Sequence, residues 1–220
     1  KTGEPNGILE EQAGAMILPL LNFPSAQKAL ATMEAVQDYY ASFGITTAQD
    51  GISSPSNVAI LKQVSQNHAA KIDLVSYPQW TYFNDVLAGT RKLDVDYYPP
   101  GYMTSNQGRS SKSSAEKETP AAIGAVAKQK VGVYVNGVKF AGIKITGDGS
   151  PQGKTAFLTE PYFHPPHGQS KSYRAYPTLP QKELDAWFDA TYKNDVQLIV
   201  HCNGDAAADA FIRRHRCNRH

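Results

Sequence analysis

Short apolar or β-branched runs alternate with amphipathic helical stretches along this chain, and that order limits its fold more than any other feature. Ser25 is a good N-cap for a helix reaching about Ser42, with Gly44 to stop it. Leu30, Met33, Val36, Tyr40 and Phe43 recur at spacings of three and four, which predicts one buried face. A strand is expected over 44–50, and a helix over 56–70 with Val58, Leu61, Val64 and Ser65 inward. A strand over 72–77 and a helical turn over 82–88 follow. Asn136-Gly137, between apolar runs at 131–134 and 138–145, is the strongest short hairpin signal. A helix ending near Asn194 carries Leu184, Trp187, Phe188 and Tyr192 on one face. The last strand covers 196–200, and one more helix starts at Gly204 and reaches Ile212. A short helix over 8–18 precedes all of these. Strands separated by helices, with near-continuous apolar character, mean a parallel α/β sheet with right-handed crossovers.

The 220 residues suffice for one large domain or two small ones, and 41% are hydrophobic, enough for a real core. With 22 basic and 20 acidic side chains the net charge is +2, too balanced to imply nucleic acid. No run approaches the ~18 apolar residues of a membrane helix. The opening Lys1-Thr-Gly-Glu-Pro shows no secretory-signal pattern and reads like the middle of a protein. Cys202 and Cys217 form no disulfide framework, and a Cys202 thiol leans toward a reducing, cytoplasmic setting. Residues 93–119 read as a mobile loop or insertion, and 159–180 as an aromatic, Pro-rich loop.

Two positions stand out chemically. Lys144 lies inside the apolar run Ala141-Gly-Ile-Lys-Ile-Thr146, which ends in a Gly/Asp turn. Burying an ammonium is costly unless it is paired or chemically changed. Lys144 is therefore a functional group or the partner of a carboxylate such as Asp148 or Asp50. His201 sits at the carboxyl end of Val196-Gln-Leu-Ile-Val200, before a second Gly/Asp turn; it is a metal ligand or a core histidine bonded to backbone. Asp50 ends a strand and could line a site mouth or cap a turn. Asp148 and Asp205 occupy turns, where Asp is mostly structural. The glycines of 147–153 have the wrong spacing for a dinucleotide loop, and Pro151 removes a donor. The set Tyr97, Tyr98 and Tyr102, and the set Tyr162, Phe163, Tyr173 and Tyr176, wall a substrate pocket or pack on a rim. His201 and Cys202 are neighbours in a strand, so their side chains diverge and form no catalytic pair.

Four segments, in order, carry a resemblance: Gly44-Ile-Thr-Thr-Ala-Gln-Asp50, Gly142-Ile-Lys-Ile-Thr-Gly-Asp-Gly-Ser150, Thr155-Ala-Phe-Leu-Thr-Glu-Pro-Tyr162 and Val200-His-Cys-Asn-Gly-Asp-Ala206. With the opening Gly3-Glu-Pro-Asn-Gly-Ile-Leu-Glu10, the chain resembles YtcJ-like metal-dependent amidohydrolases over nearly its whole length. The resemblance implies a TIM (β/α)8-type barrel, here a partial one of about strands two to five, with a metal centre at the strands' carboxyl ends. It implies hydrolysis of carbon–nitrogen bonds in amide- or formamide-like small molecules. It places a metal-bridging lysine carbamate at Lys144 and an imidazole ligand at His201, around one or two divalent ions, zinc by donor type. The family's His-x-His motif has no counterpart here; His164 and His167 are separated by two prolines. The distal His and Asp of the family also have no counterpart. The expectation is a barrel fragment over 1–212, inactive and metal-free alone and self-associating, with a non-native or disordered basic tail over 213–220. A metal-free α/β ligand-binding domain and an assembly piece completed by another chain are the competing readings.

Overall fold

The structure, a computed structural model, describes Gly7 and residues 26–87 and 131–217. The expected helix over 8–18, the 93–119 loop and Tyr97, Tyr98 and Tyr102 lie outside the described residues. The chain divides into two compact units. A sheet unit comprises Ala29–Ile145 and Asp185–Ile199; a loop-and-helix unit comprises Lys1–Lys28, Thr146–Leu184 and Val200–His220.

In the sheet unit, helix α1 (Ala26–Ser42) ends on Gly44, whose φ of +76° suits a residue without a Cβ. Its apolar stripe is less buried than its spacing predicts. Phe43 is 68% exposed, and Met33, Val36 and Tyr40 line a cavity of about 270 Å³ with Ala48 and Leu74 rather than closing onto them. The buried residue of this face is Gln37. Its Nε2 donates to the carbonyls of Met33 and Ala69, and its Oε1 accepts from Lys71 N at 2.8 Å. Beside it the Lys71 ammonium meets Asp38 at 2.7 Å and Glu34 at 3.3 Å, and these partners, Asp38 first, raise its pKa.

Strand β1 (Thr47–Ser53) begins later than expected, and Ile45 stays exposed ahead of it. Ser54 caps helix α2 (Pro55–Gln66) by accepting from Asn57 N at 3.2 Å, and Pro55 takes the first helical position, where no amide is needed. Val58, Leu61, Val64 and Ser65 are all buried, as their period predicts, and α2 packs on β1, β2 (Asp73–Pro78) and β4 (Val138–Phe140). A 3-10 turn (Trp80–Phe83) and the short helix α3 (Asn84–Leu87) follow β2, with Trp80 and Phe83 buried.

The sheet order is β1-β2-β4-β3, where β3 is Tyr134–Val135. β1, β2 and β4 are parallel; β3 and β4 form the expected antiparallel hairpin. Asn136 (φ 47°) and Gly137 (φ 79°) both take the left-handed region that a two-residue primed turn requires.

The expected strand over 138–145 is broken. Strand β5 (Gly142–Thr146) pairs with β6 (Gln197–His201) in a second, two-stranded sheet. The two sheets are joined along β2: Ala141 N donates to Ser76 O at 3.0 Å, and Gln79 bridges Lys144 in parallel. The offset from β2 is 64 at Ser76↔Phe140 (140 − 76) and 65 at Gln79↔Lys144 (144 − 79), so one extra residue is taken up between them. That residue reverses the parity of the strand. Val138 and Phe140 are buried before it, Ile143 and Ile145 after it. β5 and β6 approach closely at Gly142, where an added Cβ would strike the Gln197 carbonyl. Tyr77 on β2 donates its hydroxyl to Gln197 Oε1 at 2.6 Å, and burial, with a smaller contribution from Tyr134, raises its pKa. The strand order β1, β2, β4–β5, β6 along the chain is that of a parallel α/β barrel wall.

Helix α4 (Gln181–Lys193) buries Leu184, Trp187 and Phe188, but Tyr192 is 72% exposed. Thr191 is buried in its place, its hydroxyl donating to the carbonyls of Trp187 (2.9 Å) and Phe188 (3.1 Å). In the loop-and-helix unit, residues 147–180 contain no regular strand or helix. Helix α5 (Asp205–Cys217) runs past Ile212, through the start of the basic segment; 218–220 lie outside the described residues. Among the described residues, no helix is long and apolar enough to cross a membrane.

Candidate functional site

Asp50 and Lys144 both belong to the sheet unit, on strands flanking β2. Asp50 is in register with Ser76, and Lys144 bridges Gln79. The β1–β2 register slips between Asp50 and Ser53, and the Asp50 carboxylate serves that irregularity. It accepts from Ile52 N at 3.2 Å and from Asn57 Nδ2, at the start of α2, at 3.0 Å. These are the bonds of a turn cap. Lys144 is half-buried between the fully buried Ile143 and Ile145. Side chains alternate along a strand, so Lys144 stands on the face opposite those two.

His201 belongs to the loop-and-helix unit, as the last residue of β6, and is exposed. Its carbonyl accepts from Gly147 N at 2.8 Å. The turn beyond it is organised by a residue whose part the sequence did not show. Asp148 is 1% exposed, and its carboxylate accepts three backbone N–H groups: Asn203 at 2.8 Å, Gly204 at 2.7 Å and Phe157 at 2.8 Å. Such a set offsets the cost of burying a carboxylate. The donors lie 9, 55 and 56 residues along the chain, so no local pattern marks them. Asp205, which opens α5, accepts from the Thr159 amide at 2.9 Å and from the Thr159 hydroxyl. Those bonds, the hydroxyl's first, hold its carboxyl below the ordinary value.

Three amides of the glycine-rich segment are spent locally, Gly149 N on Thr155 O, Ser150 N on Thr155 Oγ1 and Gly153 N on Ser150 Oγ, and Gly147 N is spent on His201 O. The segment offers no cradle for phosphate. In the aromatic loop, Tyr162 and Tyr173 lie 5.9 Å apart and donate their hydroxyls to the carbonyls of Ala156 and Lys154, both at 2.9 Å. Burial raises the Tyr162 pKa, and Asp148 adds to it against the Ala156 bond. Phe163, 93% exposed, rests edge-on against His164.

A metal centre needs three or more donors together. Among the described residues, no three His, Cys, Asp or Glu side chains form such a group.

Two crystal structures resemble this fold. One is an uncharacterized metal-dependent hydrolase from Pyrococcus horikoshii OT3, with a TM-score of 0.61 and 14% identity, covering 94% of this chain and 33% of that one. The other is an uncharacterized metal-dependent hydrolase from Pyrococcus furiosus, with a TM-score of 0.59 and 15% identity, covering 93% of this chain and 35% of that one. The chain thus spans about a third of the solved structures it matches. The fold is a partial barrel of mainly parallel strands. No curated protein matches. A profile of the Amidohydrolase family matches residues 1–216, and the chain belongs to that family.

Proposed function

We propose that this chain is part of the barrel of a metal-dependent hydrolase acting on carbon–nitrogen bonds of amide- or formamide-like small molecules. Family membership over 1–216 carries the reading. The metal-dependent hydrolases that share its fold support it. Hydrolysis adds a water hydroxyl to the carbonyl carbon, breaks the carbon–nitrogen bond and returns a proton to the nitrogen. A divalent ion, zinc by donor type, supplies Lewis-acid polarisation to that chemistry when bound.

Lys144, as a carbamate, and His201 are the proposed ligand positions; the remaining ligands come from elsewhere in the whole protein. Asp50 is a weaker candidate, for a catalytic role rather than as a ligand, since both its oxygens already serve the β1 turn. The 220 residues alone are proposed to be metal-free and inactive. A panel of N-formyl and N-acyl amines, assayed for amine release by a longer protein carrying the flanking strands, tests the substrate class. Turnover of esters or phosphoesters without any amide cleavage contradicts it.

A further inference from the structure

We infer that Asp148 is a positioning residue: its carboxylate fixes the backbone that follows His201 and so sets where the imidazole stands. The supporting contacts all lie within the loop-and-helix unit. The His201 carbonyl accepts from Gly147 N at 2.8 Å, so the residue is tied to the segment carrying Asp148. Two residues on, Asn203 N donates to Asp148 Oδ1 at 2.8 Å; three residues on, Gly204 N donates to Oδ2 at 2.7 Å. Asn203 Nδ2 adds a bond back to Gly149 O at 2.8 Å. Phe157 N completes the set on Oδ2, and a Cβ at Gly204 would strike the Phe157 backbone. The turn after His201 is thus clamped on both sides.

Only an acceptor-only group serves three N–H donors. An amide in its place turns one oxygen into a donor facing another donor. The size and shape of the side chain are otherwise nearly unchanged, so Asp148→Asn isolates the electrostatic contribution of the clamp. The functional meaning of this positioning rests on His201 being a site residue; the geometry does not.

Amide exchange and histidine ring signals, read by NMR on the 220-residue chain, test the inference. In the unsubstituted chain the amides of Phe157, Asn203 and Gly204 should exchange at least about tenfold more slowly than in an unfolded peptide, the protection expected of a bond to a charged acceptor. In Asp148→Asn that protection should fall by a similar factor. The His201 ring signal should move while those of His68, His164 and His167 stay. General loosening would move the rings of His68, His164 and His167 along with that of His201. Unprotected amides in the unsubstituted chain overturn the inference, as does a folded Asp148→Asn variant with an unmoved His201 ring. If that variant does not fold, the protection in the unsubstituted chain decides alone. If His201→Ala leaves hydrolysis by the longer protein intact while Asp148→Asn still moves the His201 ring, the ligand reading fails and the positioning stands.

Discussion

Gln79 and Lys144 face one another as a parallel bridge beyond the end of β2, and this pairing carries the strand order from β2 to β5. One residue taken up near Ala141 makes the register work and leaves Lys144 opposite Ile143 and Ile145. A one-residue slip exchanges the two faces of a strand. The extra residue therefore decides on which side of the wall the lysine stands.

The same wall depends on Gly142. Backbone crowding at Gln197 leaves no space for a side chain there. Gly142→Ala should lower stability by about 3 kcal/mol, at the upper end of overpacking costs. Gly51→Ala, whose nearest neighbour would be the flexible Gln49 amide at 3.7 Å, should change it little. Urea midpoints of the two variants check the contrast.

Gln37 joins α1 to the segment before β2 through two backbone groups, Ala69 O and Lys71 N. Gln37→Leu keeps much of the volume and strands the Lys71 amide. A loss of about 1 kcal/mol is expected, the net worth of a typical hydrogen bond. A melting temperature equal to that of the unsubstituted chain would contradict this.

Asp205 sets an acid limb. Its folded pKa lies below the ordinary 3.8, so its contribution is present above that value and is lost as pH falls through the folded pKa. Asp205→Asn should be the less stable protein near neutrality, and the gap between the two should close on acidification. A gap that stays constant with pH would show that the Thr159 bonds do not distinguish the charged form.

Several apolar side chains of the sheet unit stand exposed: Tyr39 and Phe43, in edge-to-face contact at 5.1 Å, with Ile45 and Ile52. β1 is also an edge of its sheet. Unpaired edges and apolar patches favour association. Light scattering on the isolated chain should give a mass above that of the monomer, falling in Phe43→Ser. A monodisperse monomer of the unsubstituted chain is the contrary result.

Much of the fold was legible in the sequence, for identifiable reasons. Val58, Leu61, Val64 and Ser65 follow the helical period and are all buried; Asn136-Gly137 supplies the turn its backbone needs. Spacing put Tyr192 on the buried face of α4, but Tyr192 is exposed and Thr191, one position away, is buried. Thr191 is buried because its hydroxyl is satisfied by its own helix. The break at Ala141 and the clamp at Asp148 were not legible, since both arise from partners distant in the chain. For the candidate site, the apolar runs located His201 at the end of a strand and Lys144 inside one, where both stand. They could not show that Asp50 would spend its oxygens on Ile52 and Asn57.

The most direct test of the central claim is metal content by elemental analysis, on the 220-residue chain and on a longer protein carrying the flanking strands. No stoichiometric metal is expected in the short chain, and one or two divalent ions are expected in the longer one. Lys144→Ala or His201→Ala in the longer protein should weaken metal retention and activity by at least about 100-fold, the upper end for residues one step removed from a metal. Tightly bound metal in the short chain, or a longer protein whose metal and activity survive both substitutions, would contradict it.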